Sequence, residues 1–265
     1  MKKYFSVAVI LFKAQMIYRF DVVLTAVGTV WRVLFAWILW GAVYAGRETV
    51  GGFTFQAMLS YYVVSSFLTS ANLSSGVSGE VSYRIRGGSF TKFMVIPSDP
   101  QLHFLSMNFG ASIYYSMFSI VAAVICVFLF RVQVAVAPDF ASVLIALVMV
   151  PFGLTFMVCY HFFIGTLAFK FQDIGFFLHV QESIIAFLTG AIIPLTLLPD
   201  AALIFLRYVP FTYVTYIPAM LLTGRVSANE GMIGLAVLSA WAVFMMIVSK
   251  QIYERLRVKF DGVGV

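Results

Sequence analysis

Charge is what this sequence has least of. Only 11% of its 265 residues are Asp, Glu, Lys or Arg, against about 25% in an ordinary soluble domain. With 62% hydrophobic residues and a mean hydropathy of +0.99, the chain cannot clothe a water-facing surface, and a soluble fold is excluded. Cysteine is nearly absent. Cys126 and Cys159 both sit in apolar runs, where they read as small packing residues rather than as a disulfide or metal pair. Nucleotide-binding and hydrolytic signatures are missing too. The nearest approach to a phosphate loop, Gly87-Gly88-Ser89-Phe90-Thr91-Lys92, has the wrong spacing, so the chain does not hydrolyse ATP alone. No HExxH, GxSxG or Cys-x-x-Cys occurs, so no catalytic residue, metal or cofactor is expected on this chain. The apolar/polar alternation of a membrane barrel strand is absent from runs such as 113–130 and 143–168, which excludes a barrel.

What is present is a series of apolar runs long enough to cross the roughly 30 Å hydrocarbon core as helices of about 20 residues. Helices satisfy their own backbone hydrogen bonds, which lipid requires. The expected fold is therefore an all-α integral membrane protein with six transmembrane helices, forming one domain over 1–265. The spans are placed at about 22–44, 55–74, 102–130, 140–169, from 176 onward, and 231–248, with a bend at Pro151 and Gly153 in the fourth. Residues 1–20 open like a secretion signal but lack a cleavage site. Their Lys2, Ser6 and Lys13 fall near one side of a helix, as in a helix lying in the headgroup layer.

Two stretches interrupt the pattern. Residues 75–101 hold Glu80, Arg84, Arg86, Gly87, Gly88, Lys92, Pro97, Asp99 and Pro100, and read as a loop with room for a short helix. Residues 194–222 contain Pro194, Pro199, Pro210 and Pro218 after Gly190, and read as a re-entrant segment following the fifth span. Such backbone survives at membrane depth only where protein buries it or water wets it. It is either a gate built around Pro194 and Pro199 or a hydrophobic outer loop whose Tyr208, Phe211, Tyr213 and Tyr216 form an interfacial belt.

Basic residues set the orientation. With the N-terminus inside, twelve of the 17 Lys and Arg lie on the inner side, while Arg47, Arg131, Arg207 and Arg225 lie outside and Arg32 lies within a span. Both termini and the 75–101 loop are then cytoplasmic, and the net charge of +6 answers to this bias and to anionic membrane lipids, with no nucleic-acid partner needed. Charges inside spans mark pathways or packing. Arg32 either faces a polar cavity, snorkels or pairs with a neighbouring subunit. Glu182 either lines a route or caps a packing contact. His161, deep in the fourth span, is read as hydrogen-bonded packing. With one glutamate, one arginine, one histidine and no clear internal repeat, the energy source is placed outside the chain, an ion-coupled secondary transporter being the alternative.

The run Gly79-Glu80-Val81-Ser82-Tyr83-Arg84-Ile85-Arg86-Gly87-Gly88, continuing through Phe93, Ile96 and Pro97, resembles the stretch after the second span of ABC-2 type permeases. So do the basic N-terminal start, Gly190-Ala191-Ile192-Ile193-Pro194-Leu195 with Leu198-Pro199, and the ending Tyr253-Glu254-Arg255-Leu256-Arg257. The resemblance implies a permease subunit of an ATP-driven exporter in a bacterial cytoplasmic membrane. Its partners would be two copies of an ABC ATPase, which bind ATP and Mg, and a second permease chain, homo- or heterodimeric. The loop after the second span would dock on the ATPase, making Glu80, Tyr83, Arg84, Arg86, Gly87 and Gly88 the coupling residues. The first, second and fifth spans would line the path. Trp31, Arg32, Phe35, Tyr62, Ser65, Ser66, Glu182, Phe187 and Thr189 would then meet a drug-like, lipidic or peptide substrate.

Overall fold

A computed structural model describes residues 2–17, 19–96, 98–134, 139–171 and 174–258. Pro97, residues 135–138 of the 131–138 connection, part of the 170–175 turn, and Lys259 with the tail beyond it lie outside the described residues. The described residues are helical, with no strand among them beyond a single bridge between Val50 and Phe53. In chain order the helices are α1 (Lys2–Gln15), α2 (Arg19–Val43), α3 (Phe55–Ala71), α4 (Ser75–Arg86), α5 (Thr91–Val95) and α6 (Pro100–Leu129). There follow α7 (Phe140–Thr166), α8 (Gly175–Leu188), α9 (Asp200–Leu206), α10 (Tyr216–Leu222) and α11 (Ala228–Arg257).

Four helical stretches, Phe20–Val43, Pro100–Leu129, Phe140–Phe169 and Ala228–Arg257, are long and apolar enough to cross a membrane. The two other expected spans are shorter. At 17 residues α3 rises about 26 Å, and at 14 residues α8 rises about 21 Å. The fifth run stops early because Gly190, at φ +72°, turns the chain out of the helix. The last helix instead outruns its expected limits, carrying Lys250, Glu254, Arg255 and Arg257 as its final turns.

Side-chain oxygens start the long helices. Asp99 accepts from the N–H groups of Gln101 and Leu102, Asp139 from Ser142, and Ser227 and Glu230 form a reciprocal box. Each satisfies backbone donors that a helix leaves unpaired at its beginning. The centre of the bundle is α7, which continues through Pro151 and packs against α11, α4 and α10. Against α6 lies α1, so close at one point that a Cβ added to Gly110 would stand 2.0 Å from the Ala8 oxygen. Asp99 is a three-way junction: its N–H donates to Tyr4 Oη at 3.0 Å, and its carboxylate meets Lys250 Nζ of α11 at 2.9 Å. At the other end of α3, Arg225 donates to Gly52 O and stacks over Phe53, tying the α2–α3 turn to the α10–α11 connection.

Candidate functional site

Small polar side chains in and beside α3, α7 and α8 line a partly open cavity of about 220 Å³, with Glu182 exposed at its edge. On α8 the lining residues Glu182, Ile185, Ala186 and Thr189 recur at helical spacing and so share one face. Facing them are Thr69 and Asn72 of α3, Ser74 and Ser75 at the entry to α4, and Met157 and His161 one turn apart on α7. Val214 and Thr215, from the broken segment, complete the wall. His161 is 1% exposed and its Nδ1 has no hydrogen-bond partner among the described residues. The expected hydrogen-bonded packing histidine is thus a buried imidazole whose Nδ1 is unpartnered, on a helix face that borders a polar chamber. Glu182 and His161, singled out separately in the sequence, line the same space.

A second chamber of about 270 Å³ lies farther along α7, where Pro151 and Leu154 face Leu68, Ile113 and Ser116. Its lining is mainly apolar, and Asn72 and Val214 border both chambers. A proline inside a helix withdraws one backbone donor and spoils close packing on that side, which accounts for space beside Pro151.

Residues 189–222 are built from two three- to four-residue 3-10 turns and the short helices α9 and α10. Their free carbonyls find partners on α3. Tyr61 Oη donates to Gly190 O and Tyr62 Oη to Ile192 O, both at 2.6 Å. Thr212 and Tyr213 donate to the carbonyls of Leu206 and Arg207 at 3.1 and 2.7 Å. Protein groups therefore meet the backbone needs of this irregular stretch. Pro194 is buried and precedes the turn Leu195–Leu197, whereas Pro199 is exposed and opens α9.

The 75–101 stretch is more helical than its glycines suggest. In α4, Val77, Val81 and Ile85 recur every four residues and are buried against Leu154, Val158 and Phe162 of α7 together with Tyr253 of α11. Gly165 makes the approach possible, since a Cβ there would stand 2.7 Å from Val81 Cβ. The opposite face is open: Tyr83 is 73% exposed, and Arg86 and Gly87 are exposed with it. Glu80 accepts from Arg84 Nε at 2.9 Å and pairs with its Nη2, while the Arg84 guanidinium lies over the Phe93 ring. Gly88, at φ +70°, turns the chain toward α5 in a conformation that a Cβ would strain.

The remaining sequence candidates do not share one surface. Trp31 and Phe35 stack on each other on the outer side of α2, at 53% and 64% exposed. Arg32 is half-buried and its Nη1 is buried without a partner among the described residues. Ser65 and Ser66 are enclosed within the bundle, Thr189 lines the polar cavity, and Phe187 is 37% exposed. Sequence reading missed Thr69, Asn72 and Thr215 as cavity residues and Tyr61 as a backbone donor. Only Tyr61 carried a signal, because a phenol in an apolar helix needs a polar partner.

Four helices long and apolar enough to cross a membrane, packed into one bundle, define a multi-pass membrane protein. The chain belongs to the ABC-2 family: the model of the ABC-2 family transporter protein matches residues 30–264. It is accordingly a membrane component of an ABC transporter, a class that works in association with an ABC ATPase. Comparison with curated proteins gives no match.

Proposed function

We propose that this chain is the permease subunit of an ATP-driven exporter, moving a drug-like, lipidic or peptide substrate with energy from a separate ATPase. The subunit sits in a bacterial cytoplasmic membrane with both termini inside, and two ATPase copies and a second permease chain complete the transporter. The observation that supports this most is the two-sided character of α4, which buries Val77, Val81 and Ile85 against α7 and presents Tyr83 and Arg86 outward. A partner can shift a two-state protein only by binding its states differently. A helix interlocked with the central span and open on its far side is suited to transmit that preference. Glu80 and Arg84 hold the open face in shape, Gly87 and Gly88 end it, and Ser75 connects it to the polar cavity. The 194–222 segment closes the outer side of the path, with Tyr61 and Tyr62 fixing its closed form.

The test is reconstitution with and without the ATPase. ATP-dependent cargo movement that is lost on Tyr83→Ala with Arg86→Ala supports the reading; transport in liposomes lacking any ATPase overturns it. The common lining of Glu182 and His161 favours one second reading, an ion-coupled carrier. That reading requires a pH gradient alone to drive transport.

A further inference from the structure

The polar cavity has a definite chemical bias. Among the described residues that line it, Glu182, exposed at the cavity's margin, is the one carboxylate, and no Lys or Arg is among them. The hydroxyls of Thr69 and Thr189 donate to Ser65 O and Ala186 O of their own helices, at 2.8 and 3.2 Å. Their lone pairs are what they offer the cavity. His161, nine-tenths buried and more, has no partner for Nδ1 among the described residues, and a polar atom left so in the interior is costly unless something meets it. Met157, Ile185 and Val214 supply an apolar side. An anion in this chamber would face a carboxylate with no compensating base. A purely apolar guest would leave the imidazole and hydroxyls unmet.

We propose that this cavity is a binding site for a protonated amine bearing a short hydrocarbon group. The ammonium pairs with Glu182 and donates N–H bonds to the threonine hydroxyls and to His161 Nδ1 in its acceptor tautomer, while the hydrocarbon lies against Met157, Ile185 and Val214. The site is assembled from α3, α4, α7 and α8 of one chain together with the segment at Val214, so it needs neither a second permease nor the ATPase. It rests on the transport reading only for the amine's role as cargo.

The experiment measures binding to the full-length chain in lipid nanodiscs without ATPase. The probes are phenethylamine, its N,N,N-trimethyl derivative, which keeps the charge but has no N–H, and 2-phenylethanol, which has no charge. Phenethylamine is expected to bind at least about tenfold more tightly than either analogue, because hydrogen bonds to a charged group and the ion pair are both at stake. Glu182→Gln is expected to weaken phenethylamine by about tenfold or more and to abolish its advantage over the alcohol. Equal binding of the three probes, no phenethylamine binding at millimolar concentration, or an unchanged affinity in Glu182→Gln overturns the proposal. Should the variant not fold, as judged by thermal unfolding, the probe series on the native chain decides alone. Loss of ATP-driven transport with amine binding intact would instead count against the transport reading and leave this site standing.

Discussion

The junction of α4 with α7 and the junction of α3 with the segment after α8 use opposite kinds of contact. At the first, Val77, Val81 and Ile85 press into Leu154, Val158 and Phe162, and the approach at Gly165 is close enough that no larger residue fits. At the second, two phenols reach backbone carbonyls at 2.6 Å, across more than a hundred residues of sequence. Interlocked apolar surfaces move as one body and resist being parted. Hydrogen bonds to an irregular backbone can be exchanged for others with little net loss, since each is worth only about 1 kcal/mol. On the proposed reading the contrast makes the α4–α7 junction, the shelf, the rigid part and the broken segment the changeable one.

Substitutions can break this contrast, and the largest effect is expected at the shelf. Gly165→Leu forces side-chain atoms into Val81 and Ser78 O, and overpacking of this kind costs about 1–3 kcal/mol. The thermal-unfolding midpoint should fall, and ATP-driven transport with it; an unchanged midpoint would show that the contact gives way. Gly190→Ala comes next, because its φ of +72° and a Cβ only 2.8 Å from Tyr61 Oη are both unfavourable, the backbone part at about 1–2 kcal/mol. In a Tyr61→Phe background the clash with the phenol oxygen is gone, so the same change should cost less, which a double-mutant cycle measures. Tyr61→Phe alone leaves Gly190 O without its donor and should cost roughly 1 kcal/mol, in line with hydrogen bonds inside membranes. If transport is altered while the unfolding midpoint hardly moves, the segment is a moving part and not a fixed cap.

The smallest change in stability is expected from Arg84→Gln. Its pair with Glu80 is partly exposed, at 26% and 37%, and a pair at this helical spacing contributes about 0.3–0.5 kcal/mol. Stimulation of the ATPase by the permease should nevertheless fall. Intact stimulation would remove Arg84 from the docking face.

Much of this architecture could be read from hydropathy, because lipid imposes one simple demand on a span. The long helices α2, α6, α7 and α11 follow from it, as does the interruption at Gly190. The helicity of α4 was harder to see: Gly76 and Gly79 lower local propensity, and the helix is supported by burial of Val77, Val81 and Ile85, a stripe that four-residue spacing does record. The short α3 and α8 could not be measured from sequence, since their ends are fixed by contacts with distant residues. The same holds for the cavity. Glu182 and His161 stood out as charges or imidazoles among apolar neighbours, but Thr69 and Asn72 resemble any small polar residue in a span until the fold sets them opposite α8.

Spans α2 and α7 differ in the same sense. Over its most apolar stretch α7 is 56% buried, and α2 only 22%. The exposed Trp31 and Phe35 lie on the less enclosed helix, where lipid or the proposed second permease would meet them.

The Asp99 junction bears on the order in which the chain is made. Tyr4 and Asp99 emerge from the ribosome before Lys250 of α11. Until that helix inserts, the Asp99 carboxylate serves only the start of α6, and the opening segment lacks its final anchor. Insertion of α11 thus locks α1, so a nascent chain truncated before Lys250 should expose α1 to a protease that the chain carrying α11 resists.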